Sequence, residues 1–421
     1  MFTRRQVIKT GISCTVAGVM AHMGLVDSIF AAGIVDSSPN GIVKNRSLIV
    51  IQLKGGNDGL NTVVPYGDGR YYDARPELAI PEEKILPLTN KFGLHPSFKE
   101  IKSLWDQGHV AIIQGVGYPN QSFSHFQSQH IWKTADPFSR KSDGGDGWLG
   151  RQLANLPSKD FNWFKGISLG KTYPISPMAT KELALPAIRN LRSYQIAGQS
   201  SDFKSSNFDL EILRSLYEQS NDFDPYTHHL NATLNGALST SVTLNNSYNN
   251  YSPLAKYPPG NFGQELKLLA STITQRLGVQ VAHLTIKGFD THADEPTRHS
   301  ELLKELSEGI SAFYQDLRQH ELDREVIIMT WSEFGRRVAM NGSYGTDHGS
   351  AAPLFIIGTS IQGGLYGDHP NLGNLEKGNL KFTTDFRSVY RTVLEDWLGN
   401  PDEVISHQPK FERIPILVTE K

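Results

Sequence analysis

The chain has 421 residues, 38% of them hydrophobic and 20% charged, a globular composition that excludes a disordered or fibrous protein. Its 41 basic and 43 acidic residues give a net charge of −2, which offers no electrostatic footprint for nucleic acid, and no apolar run reaches the ~20 residues of a stable membrane span. The single cysteine, Cys14, lies near the N-terminus, so the rest of the chain holds no disulfide framework, thiol nucleophile or cysteine-ligated metal.

The N-terminus reads as a leader. Thr3-Arg4-Arg5-Gln6-Val7-Ile8-Lys9 is a twin-arginine pattern, a modestly apolar stretch runs from Gly11 to Leu25, and Ala31-Ala32-Gly33 offers small residues for cleavage. The expectation is a twin-arginine signal peptide over 1–33, recognised by the twin-arginine translocation machinery, with a periplasmic or secreted product. A buried or interfacial helix is the plainer alternative. Residues 34–421 are expected to form one α/β domain. Twin-arginine export carries folded proteins, often after they acquire a cofactor, which hints at a metal site.

Five short apolar, β-branched runs read as strands: Ser47 to Leu53, Val110 to Gln114, Val279 to Ile286, Val326 to Trp331 and Leu354 to Ile357. They are continuous rather than alternating, as in sheets covered on both faces. Helices intervene. Leu266, Leu269, Ile273 and Leu277 step by three and four. Leu302, Leu306, Ile310, Phe313 and Leu317 do the same within His299 to His320, as do Phe386, Val389, Tyr390, Val393 and Trp397 before a stop at Gly399. This alternation predicts a doubly wound α/β fold, whose ligands bind beyond the carboxyl ends of the strands. Residues 196–262, rich in Gly, Ser, Asn and Tyr, read as a loop-rich insertion or lid.

Polar clusters stand at the strand ends. After the first strand comes Gly55-Gly56-Asn57-Asp58-Gly59, where Asp58 is a ligand candidate or a turn aspartate bonding its own backbone. After the second, Ser122, Ser124 and His125 precede a helix. Either serine could be an N-cap or a nucleophile, and His125 a ligand, an orienting group or a structural residue. After the third, Asp290 and His292 offer a carboxylate and an imidazole together. After the fourth, Glu333 is followed by Arg336 and Arg337, either a surface ion pair or a metal carboxylate beside an arginine fork for an oxyanion. Before the fifth, Asp347 and His348 adjoin between glycines. Recurrence of these groups beside core strands argues for one shared metal-type site.

The segments G-G-N-D-G-L-N-T-V-V-P, S-H-F, F-D-T-H, S-E-F-G-R-R and G-T-D-H-G resemble the bacterial family catalogued as domain of unknown function 1501, from about Ile49 to Gly399. That family is similar to the alkaline phosphatase–sulfatase superfamily. The resemblance implies an alkaline-phosphatase-like α/β fold, with a mostly parallel central sheet and helices on both faces. It also implies divalent cations (zinc, manganese or calcium) held by Asp58, Asp290, His292, Glu333, Asp347 and His348. Ser124 would be the nucleophile, with Ser122 its competitor, and Arg336 or Arg337 would grip the substrate's oxygens. In the superfamily two cations ~4 Å apart clamp the attacking and leaving oxygens. The implied substrate is a small-molecule or glycan ester of phosphate or sulfate. Two departures are visible: the superfamily usually has Asp-His at the Glu333 strand end, where this chain has Phe334, and the aspartate–histidine spacing at Asp290 is shorter than in alkaline phosphatases. They imply one metal instead of two, or a site that binds without catalysing, and the missing histidine supports the rival expectation, a non-catalytic periplasmic binding or assembly protein on the same scaffold.

Overall fold

The computed structural model describes residues 45–140, 145–154, 162–170, 177–183, 185–188, 240–241, 243–399 and 411–418. The twin-arginine segment and residues 196–239 of the expected insertion lie outside them. No helix among the described residues is long and apolar enough to cross a membrane.

The five expected strands all form: β1 (Ser47–Lys54), β2 (Val110–Gly117), β5 (Val281–Lys287), β6 (Val326–Trp331) and β7 (Ala352–Ile357). Short strands that hydropathy does not reveal extend the sheet: β3 (Gly166–Leu169), β4 (Ala187–Ile188), β8 (Gly364–Tyr366) and β9 (Thr384–Asp385). The order is β8-β2-β7-β6-β1-β5-β3-β4, with β9 also paired to β2. β1 lies parallel to both β5 and β6, whereas β7 runs antiparallel to both β2 and β6.

Helices cover both faces, as the continuous apolar strands require. Ile49, Ile51 and Leu53 point to one side, against α1 (Lys99–Asp106), α4 (Asn261–Thr274) and α5 (Glu295–Gln319). Leu48 and Val50 point to the other, against α2 (His125–Thr134), α3 (Trp148–Ala154) and α6 (Phe386–Thr392), where Trp132, Trp148, Tyr390 and Trp397 pack. The Asn-rich run read as loop differs: positions 243–249 are helical. Packing overrides its low helix propensity. Leu244 is fully buried, and Ser247 donates to Ser271 of α4 at 3.1 Å. Further along, Tyr251 and Tyr257 both donate to Asp316 of α5.

Strand direction decides where the site lies. β1, β2, β5 and β6 all point the same way, so the loops after them emerge at one edge of the sheet. β7 is reversed, so the loop before it joins them there. Those five loops carry Asp58, Ser122–His125, Asp290–His292, Glu333–Arg337 and Asp347–His348.

Candidate metal centre

Backbone pairing brings the loops into contact. Residues 335–337 lie antiparallel to 347–350: Gly335 N donates to Ser350 O, Gly349 N to Gly335 O, and Arg337 N to Asp347 O, at 2.7, 2.8 and 3.0 Å. Two glycines permit the close approaches. Gly55, at φ +127°, lies where a Cβ would stand 2.3 Å from Asp290 N, and a Cβ on Gly345 would stand 2.3 Å from the carbonyl carbon of His292.

At the convergence, three imidazoles surround one carboxylate. His348 Nε2 and His292 Nε2 each lie 3.1 Å from Asp290 Oδ1, and His125 Nε2 lies 3.4 Å from Asp290 Oδ2. The Nε2 atoms of His292 and His348 are 3.0 Å apart. One ligand-type atom from each of His125, Asp290 and His348 falls within 4.8 Å of the others. Every ring presents its other nitrogen to an acceptor. His125 Nδ1 meets Glu333 Oε1 at 2.9 Å, His292 Nδ1 meets Asp347 Oδ1 at 3.2 Å, and His348 Nδ1 meets Phe123 O at 2.8 Å. A carbonyl oxygen only accepts, so His348 carries its proton on Nδ1 and turns a bare lone pair inward. The lone pair of His348 therefore faces the anionic Asp290, and three nitrogens with one carboxylate oxygen suit a borderline divalent cation. The residues fit such an ion.

Burial would raise the Asp290 carboxyl, but Arg336 and His348 outweigh it and hold it at about 2, so it stays anionic. The Glu333 carboxylate raises the His125 imidazole above its ordinary value, while burial lowers that of His348. Asn341 and His292 keep Asp347 below the usual carboxylate range.

The carboxylates expected as ligands divide their roles. Glu333 is fully buried, and its Oε1 accepts from His125, from Gln129 Nε2 at 2.9 Å and from Gly55 N at 3.0 Å. It orients a ligand, as does Asp347 behind His292. Asp58 is not brought to the cluster. Its two oxygens are gripped by the Arg75 guanidinium, with Arg75 Nη2 at 2.9 Å from Oδ1, and both residues are buried. Arg75 draws the Asp58 carboxyl far down against the upward push of burial.

The arginines separate likewise. Arg336 is buried and donates to Gly56 O, Thr346 O, Gly55 O, Phe289 O and Asp290 Oδ1, so its fork ties the loops together and is not free for an oxyanion. Arg337 is exposed beside Asp347. Of the serines, Ser122 Oγ accepts from Ser124 N at 3.3 Å. Ser124 is the exposed N-cap of α2, and its side chain makes no capping bond. Its chain neighbours Phe123 and His125 both touch the cluster.

Residues 110–396 match the family described as "Protein of unknown function (DUF1501)". The chain belongs to the DUF1501 family. No curated relative matches this DUF1501 chain in sequence. Solved structures that resemble it include the lipoteichoic acid synthase LtaP from Listeria monocytogenes, at 10% identity over 90% of this chain and 78% of that one, with a TM-score of 0.38. The PsFucS1 sulfatase from Pseudoalteromonas sp. matches at 11% identity over 88% and 71%, with a TM-score of 0.39. The C-terminal periplasmic domain of EcEptC from Escherichia coli, in complex with Zn, matches at 9% identity over 87% and 88%, with a TM-score of 0.39. The chemistry rests on this DUF1501 chain's own residues.

Several site residues escape motif reading. Ser128, Gln129 and Trp132 follow His125 at +3, +4 and +7, a helical stripe on which all four grip Glu333 by its side chain or carbonyl. That spacing was the available signal. A second network backs the loops. Glu295 is buried, accepts from Thr291 and Thr346, and lies against the Asp58 carboxylate; burial and the Asp58 charge push its carboxyl far up. Unfolded, it ionises near 4.5. Its contribution to stability is therefore complete below that pH and declines as pH rises toward the raised folded value. Glu295→Gln, which cannot ionise, is expected to gain several degrees in melting temperature on the native protein between about pH 5 and 8. Parallel melting curves across that range would refute the protonated glutamate.

Proposed function

We propose that this DUF1501 protein is an exported, metal-dependent hydrolase of phosphate or sulfate esters, acting in the periplasm or outside the cell on a small-molecule or glycan ester. One observation carries the reading: three imidazoles with their outer nitrogens satisfied aim their inner nitrogens at one anionic carboxylate on a solvent-reached edge. The side chains of His292 and Asp290 are 44% and 45% exposed, so the centre has the open face that catalytic sites keep and structural sites close. His125, Asp290, His292 and His348 would hold the cation. When bound, a divalent cation supplies Lewis acidity there.

The chain's own groups do the rest. Ser124 Oγ, unengaged as a cap, would attack phosphorus or sulfur, losing its proton to solvent, while the ester oxygen departs and takes up a proton from solvent as the alcohol; water would later release the acid and return a proton to the serine. Glu333, Asp347 and Phe123 O fix the rings. Arg337 supplies positive charge beside an anionic substrate.

The test is turnover of generic phosphate monoesters, phosphodiesters and sulfate esters by metal-loaded protein. Ser124→Ala is expected to lose more than about 10³-fold in turnover with metal content intact, whereas Ser122→Ala retains most activity. Equal losses, or a larger one at Ser122, would reassign the nucleophile. A second reading, a binding or assembly protein that captures such esters without turnover, is favoured by the commitment of Arg336 to backbone carbonyls. Metal-loaded protein that binds these esters and hydrolyses none would establish it.

A further inference from the structure

Among the described residues, most donors around this centre are already engaged. A cation in a protein site needs three or four ligand atoms. Among the described residues, His125, His348 and Asp290 bring ligand atoms within 4.8 Å of one another, and His292 Nε2 adjoins two of them, 3.1 Å from Asp290 Oδ1 and 3.0 Å from His348 Nε2. A second cation would need others. Asp58 is consumed by Arg75 in a buried pair. Asp347 binds the outer nitrogen of His292, on the far side of that ring. Glu333 Oε1 already receives three N–H donors. Its Oε2 is buried without a partner, and one oxygen is too few.

Carbon closes the inner side. The Phe334 ring, 2% exposed, lies 4.9 Å from the His125 ring and 4.5 Å from the His348 ring, with interplanar angles of 39° and 37°. It is backed by Gly56, where a Cβ would stand 2.5 Å from the ring. An aromatic ring that offers no ligand atom thus packs on two of the imidazoles.

We propose that this centre is mononuclear and selects a zinc-class cation, an inference that rests on the metal-dependent reading above. Three imidazoles and one carboxylate match the ligand preference of zinc and cobalt. Calcium and magnesium call for six or more oxygens, which the loops do not offer.

Chelator-treated full-length protein is titrated with Zn²⁺, Co²⁺ and Ca²⁺, following heat, bound metal by elemental analysis and the visible absorption of cobalt. The expected result is saturation at one equivalent of Zn²⁺ or Co²⁺, with Ca²⁺ at least about 100-fold weaker. Phe334→Leu retains one equivalent. Glu333→Gln retains one equivalent at about 10–100-fold lower affinity, because it only orients His125. His292→Ala loses the cobalt band. Two equivalents in the native protein, falling to one in Glu333→Gln, would overturn the proposal and leave the hydrolase reading standing. A preference for Ca²⁺, or no uptake at all, would also overturn it. One equivalent of zinc in a protein inert toward every ester supports the mononuclear centre while removing the hydrolase.

Discussion

Asp290→Asn is expected to weaken metal binding at least about 100-fold and to remove ester turnover, with little change in melting temperature before metal is added. Asp290 is the anion that all three inward nitrogens face. An amide keeps the shape but removes the charge, and its NH₂ group turns a donor toward nitrogens that need a cation. The fold should survive, because Arg336 retains four backbone carbonyl partners when this carboxylate is neutralised. His348→Ala should match it in metal content. Elemental analysis of the two purified variants decides the matter, and full metal content in both would dismiss the shared centre.

Asp58→Ala is expected to act on stability instead. It strands the Arg75 guanidinium, which is fully buried, with two carbonyl partners at Val338 and Arg337 and without its paired carboxylate, leaving Glu295 as the nearby acid. Removing one partner of a buried ion pair costs about 3–5 kcal/mol, roughly 5 °C in melting temperature for a domain of this size. Metal uptake by the folded fraction should be unchanged. The double variant Asp58→Ala/Arg75→Met should recover much of the loss, since the stranded charge is gone. An Asp58→Ala protein that melts normally but takes up no metal would return Asp58 to the centre.

Asp58 also shows what the sequence conceals. Its position after β1 marks it as a ligand by motif, but its fate is set by Arg75, in a stretch with no pattern to single it out. The five core strands were legible because both faces are covered and the runs are continuous. The direction of β7 was not, since an apolar run reads alike both ways, although direction alone explains why its motif precedes the strand when the others follow theirs. Strands of two to four residues, such as β3 and β4, carry too few side chains to show a pattern. The Asn-rich run at 245–251 misleads in the other sense: contacts with α4 impose a helix that its composition does not favour. Ligand types were readable and their division into holding and orienting roles was not, because that depends on which ring nitrogen faces which oxygen.

The ring of His125, Asp290, His292 and His348 joins stretches of chain 223 positions apart, counted from 125 to 348. An ion seated there acts as a removable rivet across the open rim of the sheet. At a free concentration 1,000 times its dissociation constant it would add about 4 kcal/mol to the native state. Emptied protein should therefore part first at that rim, and limited proteolysis with and without chelator should cut soonest in the loops at 118–124 and 341–350.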